Sequence, residues 1–103
     1  MSDEYQIHIP PSFVALHADA RQRLTVSLGE LRARYEICED LATHLVEHAG
    51  DVHRGIGVPE EDVLARCLAG LRAAQSGVSA GEAAWIVRRL AELLGWDDPL
   101  PDA

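Results

Sequence analysis

The architecture of this chain turns on SLGELRARYEICEDLATHLVEHAGDVHRGI, residues 27–56. Ser27 followed three residues later by Glu30 is a capping box, in which each side chain satisfies an orphan amide of a first helical turn. Beyond it Leu31, Tyr35, Cys38, Ala42, Leu45, Ala49, Val52 and Ile56 recur at alternating steps of four and three, an unbroken heptad seam. The pattern predicts one helix over 28–54, about 40 Å long at about 1.5 Å per residue. Gly55 and Gly57 supply its stop. A helix of that length exceeds the globular average and serves as the spine of the fold.

Two further helices follow from the same rules. In VPEED (58–62) Pro59 suits a first helical position, and Glu60, Glu61 and Asp62 complement the positive end of the helix dipole. Val63, Leu64, Cys67, Leu68 and Leu71 then share one apolar face, and AQSGVS is a turn. Ser79 and Glu82 form a second capping box, after which Ala83, Ile86, Val87, Leu90 and Leu94 line a helix that Gly95 terminates. The predicted fold is all-α, a small three-helix bundle built on one long central helix. The seam is long enough to pair with a second copy as well as with its own chain, so a homodimer is expected.

Upstream, Tyr5, Ile7 and Ile9 alternate with polar residues before Pro10-Pro11, which reads as an extended N-terminal arm over 1–11. PSFVALHA (11–18) predicts a short helix with Pro11 in its first turn and Phe13, Val14 and Leu16 inward, and ADARQRL a polar connection. The helical domain runs over 12–96, and DDPLPDA (97–103) is a polar tail. The arm either lies in a groove through Tyr5, Ile7, Ile9 and Phe13 or remains a disordered terminus.

With 103 residues there is room for one domain and one modest core. The net charge of −8 disfavours nucleic acid and anionic membrane surfaces as partners, since both need a basic patch. All nine basic residues are arginine. Without lysine there is no phosphate-binding P-loop, Schiff base or Ser–Lys dyad. Cys38 and Cys67 sit in apolar helical patterns and read as reduced, buried thiols. The first eleven residues lack signal-peptide character, no apolar run approaches a membrane span, and the cytoplasm is the expected compartment.

Three stretches invite a chemical reading. Asp40, His44, His48 and Asp51 fall in a narrow line down one flank of the long helix. Imidazoles at i and i+4 can meet on one divalent ion, zinc or nickel, with the carboxylates as further ligands or as partners of the second ring nitrogens. The alternative is that both histidines are boundary residues between seam and solvent, each with an Asp neighbour. Trp85 falls outside the apolar stripe of the last helix, ahead of Arg88 and Arg89, and either packs between helices or forms with them a partner-binding patch.

HLVEH (44–48) resembles the H-x-x-E-H motif of the inverzincin metallopeptidases. The resemblance covers five residues and implies His44 and His48 as zinc ligands, Glu47 as the base, and Glu82 or Glu92 as a distant ligand. Those enzymes enclose substrate in a chamber this chain has too few residues to build, so no catalytic role is expected. IHIPPSF (7–13), RYEICEDLA (34–42) and RRLAELLGW (88–96) resemble a group of small proteobacterial proteins, some carrying the name "ATPase with chaperone activity". That resemblance spans most of the chain, transfers no functional residue and implies at most protein binding. A nucleotide-binding role has no support in the residues, which lack G-x-x-x-x-G-K-S/T and any lysine. Arg88 and Arg89 flanked by Glu82 and Glu92 make a poor DNA-recognition surface.

The reading reached is a non-enzymatic helical interaction or adaptor module without a cofactor, whose partner is another protein or a second copy. Its alternative is a metal-binding protein using zinc or nickel.

Overall fold

A computed structural model describes residues 8–100. The chain is all-α, with α1 over Pro11–Val14, a long central α2 over Leu28–Asp51, α3 over Glu60–Arg72 and α4 over Ala80–Leu94. It divides into two compact units, Met1–Ile37 and Cys38–Ala103, with the boundary inside α2. The stretch 12–96, read as one domain, is shared between them. Tyr5 and Ile7, two of the expected arm anchors, lie outside the described residues.

In the first unit Pro10 is extended (φ −60°, ψ 144°), and its carbonyl accepts the amides of Phe13 at 3.0 Å and Val14 at 3.1 Å. That starts α1, which tightens into a 3₁₀ turn over Ala15–His17. Phe13 is fully buried; its ring meets Tyr35 edge-on at 5.6 Å and His17 at 5.4 Å. The polar connection is more ordered than its composition suggests. The Asp19 carboxylate accepts the amides of Arg21 at 2.8 Å and Arg23 at 3.0 Å, and an isolated antiparallel bridge joins Ala18 to Leu24. Asparaginyl- and aspartyl-type turns work this way, with a short carboxylate replacing a backbone acceptor. The first capping box is present, Ser27 Oγ accepting the Glu30 amide at 3.1 Å.

In the second unit the seam of α2 continues through Cys38, Ala42 and Ala49, all fully buried. Past Asp51 the helix does not simply fray: it widens into a π-helix over Val52–Ile56, and Gly57 closes it in the left-handed region (φ 83°), its amide donating to the His53 carbonyl at 3.1 Å. His53 pins the following turn. Its Nδ1–H donates to the Val58 carbonyl at 2.7 Å, Nε2 lies 3.8 Å from a Glu60 carboxylate oxygen, and the ring stands edge-on to Trp96 at 5.2 Å.

Helix α3 begins immediately after Pro59, one residue later than the sequence suggests, and packs against α4. Helix α4 has its full capping box: Ser79 Oγ accepts the Glu82 amide and Glu82 accepts the Ser79 amide, both at 3.0 Å. At its other end Gly95 (φ 74°) donates to the Glu92 carbonyl and Trp96 to the Ala91 carbonyl, the two bonds of a Schellman motif. Glu82, Ala83, Trp85, Ile86, Val87, Leu90 and Ala91 are all buried. An arc that wide exceeds one amphipathic stripe, so α4 is enclosed on more than one side.

Candidate functional site: an apolar groove with a basic rim

Helices α2 and α3 do not close on one another along their whole length. Leu41 and Leu45 of α2 and Val52, the first residue of the π-helix, repeat at four and seven residues and form one wall of a groove of about 430 Å³. Val63, Cys67 and Leu71, at steps of four, form the other. The π-helix brings Ile56 to the end of the first wall, where 76% of it is exposed. Gly70 adds no side chain, and a Cβ there would meet nothing within 4 Å. The volume lies in the range of ordinary ligand clefts, and the lining is what such clefts have: mostly apolar, with a few polar groups at the edge.

Those polar groups are His44, His48 and Arg66. Among the described residues no carboxylate lines the groove, although the chain has 17 acidic residues to nine basic ones. His44 Nδ1 donates to the Asp40 backbone carbonyl at 3.1 Å. A carbonyl only accepts, so Nδ1 carries a proton.

The four residues of the expected metal line are not drawn together. Asp40 meets His44 through its backbone rather than its carboxylate, and among the described residues no group of three or more His, Cys, Asp or Glu converges on a point that could hold an ion. The downstream glutamates of the metallopeptidase comparison are engaged elsewhere, Glu82 in its capping box and Glu92 with Arg89. Two imidazoles fall short of the four ligands of a structural zinc site.

The other expected contact residues serve the fold to a large degree. Phe13 has no exposed surface to offer a partner, Ile9 is half-buried, and Trp85 is 8% exposed. Arg89 binds Glu39 with two nitrogens, at 3.0 Å from Nε and 3.0 Å from Nη2, and reaches Glu92 at 3.0 Å from Nη1. Hydrogen bonds to Glu39 and then Glu92 push its pKa further up, so it stays charged at any working pH. Arg88 lies 3.4 Å from Asp98. Of the groove residues, Val63 and Cys67 were legible as part of one helix face, while Leu41 and Arg66 belong to no stripe that the sequence shows.

Cys67 reports on the groove. Burial pushes its thiol up, because the thiolate would lose solvation there. The unfolded chain therefore gives up this proton first as pH rises past the ordinary thiol range of about 8.5, and binds fewer protons than the folded one. Stability is expected to fall with rising pH in that window and to be indifferent to this thiol below it. Urea titrations at neutral pH and at alkaline pH check this, with a Cys67→Ala variant expected to show a smaller alkaline loss than the parent.

No described helix is long and apolar enough to cross a membrane. No protein-family model matches the chain, and comparison with curated proteins and with solved structures finds no match either.

Proposed function

We propose that this chain is a non-enzymatic helical interaction module that docks a segment of another protein in the groove between α2 and α3. The observation that carries the reading is the apolar groove itself, ending at Ile56 with 76% of that side chain exposed. Apolar surface left open between two helices is what helix-in-groove recognition uses, with anchors at i, i+3, i+4 and i+7 of the incoming segment. Free thiols at Cys38 and Cys67 fit a reducing compartment, and the cytoplasm is the compartment proposed.

Selection of helical peptides against the folded protein tests this reading. Binders are expected to compete for one site and to be lost on Ile56→Glu, a change at an exposed position that leaves the circular dichroism spectrum unaltered. Failure to recover any binder, or recovery of binders indifferent to Ile56→Glu, contradicts it.

A further inference from the structure

From the charge around the groove we infer that its occupant is an acidic amphipathic helix, apolar on the face it buries and carrying Asp or Glu along its flanks. This deepens the interaction-module reading and rests on it. Three features of the site point the same way. The walls are apolar, so the occupant must bring an apolar stripe. The wall from Leu41 on α2 to Val52 at the start of the π-helix is about 16 Å long, about three turns of helix, which suits a helical segment better than a compact small molecule. The rim is the third feature.

Arg66 makes no ion pair among the described residues, and it lines the groove from α3 while His44 and His48 line it from α2. In a chain of net charge −8, counted with histidine neutral, a groove whose lining carries the Arg66 guanidinium and, among the described residues, no carboxylate is a local reversal of sign. The acidic residues of the same stretch of α2, Asp40, Glu47 and Asp51, are exposed and do not line it. Complementary charge of this kind selects partners and steers their approach more than it adds raw affinity, while like charge excludes. A second copy docked groove to groove is disfavoured on the same ground. In a two-fold interface each rim faces the other, and Arg66 would meet no carboxylate among the described lining residues of the opposing groove.

The test uses two synthetic helical peptides of roughly 16 residues, with the same leucine stripe and with flanking positions all Glu in one and all Lys in the other. Two readouts are taken: affinity, and the rate at which iodoacetamide modifies Cys67, followed by peptide mass mapping that separates it from the fully buried Cys38. The Glu-flanked peptide is expected to slow modification of Cys67 and to bind about two- to fivefold tighter than its Lys twin. Arg66→Glu, at an exposed position, is expected to remove that preference, and added salt to shrink it. Equal or tighter binding of the Lys-flanked peptide, with Cys67 protected, overturns the inference and leaves the interaction module standing. Binding of neither peptide, with the parent sedimenting as a dimer that Ile56→Glu dissociates, also overturns it and makes a second copy the occupant. Binding of neither peptide by a chain that stays monomeric overturns both.

Discussion

Phe13→Ala is expected to cost about 3–5 kcal/mol of stability. Phe13 is the one large side chain of α1 with no exposed surface, and its ring is held by the edge contact with Tyr35 and the tilted contact with His17. Truncation removes the transfer free energy of an aromatic ring, leaves a cavity that four residues of helix cannot collapse into, and forfeits the aromatic pair. Against a total stability of about 5–15 kcal/mol this is a large fraction. The melting temperature should drop by more than about 12 °C. Leu16→Ala, two residues after α1 at 38% exposure, is the matched control and should cost well under half as much. Thermal melts of the three proteins decide the matter. A small loss at Phe13 would mean that its burial does not hold the N-terminal unit together.

Leu90→Ala is expected to cost about 3 kcal/mol, and Leu93→Ala less than about 1 kcal/mol. The two leucines are three residues apart on α4, but Leu90 is fully buried and Leu93 is 39% exposed. Their difference therefore isolates burial from helix propensity, which is the same for both changes. The neighbours of Leu90 on its own helix, Ile86, Val87 and Ala91, are themselves buried and held by helical backbone, so the space is not readily refilled. Urea titration at neutral pH gives the comparison directly. Equal losses at the two positions would contradict the buried arc assigned to α4.

The long helix was legible because its signals are local and redundant. A capping box, seven consecutive heptad steps and two terminal glycines all speak for the same element, and α2 begins one residue after Ser27 as they require. What periodicity cannot give is the identity of the surface that each stripe meets. Leu31, Cys38, Ala42 and Ala49 are buried, while Leu45, Val52 and Ile56 of the same seam line an opening. The heptad treats all seven alike. The π-helix that carries Val52 and Ile56 was hidden too, since widening a helix by one residue per turn changes no residue pattern that a seam detects.

Trp85 shows the complementary limit. It lies off the stripe of α4, which left packing between helices and a partner-facing patch both open, and it is buried within the arc from Glu82 round to Ala91. Arg89 reads from its neighbours as part of a partner-binding patch with Trp85 and Arg88, yet two of its nitrogens bond Glu39, fifty residues away and outside any local pattern. The basic rim is likewise a product of tertiary structure. His44 and His48 belong to one helix and Arg66 to another, and nothing along the sequence announces that they border one space.

The most direct measurement on the interaction module is a backbone amide chemical-shift map of the folded protein titrated with the Glu-flanked peptide. The expected result is saturable shifts confined to residues 41–56 of α2 and its π-helix and to 63–71 of α3, with α4 from Ala83 to Ala91 unmoved. Shifts centred on Arg88 and Trp96 instead, or none at any peptide concentration, would contradict it.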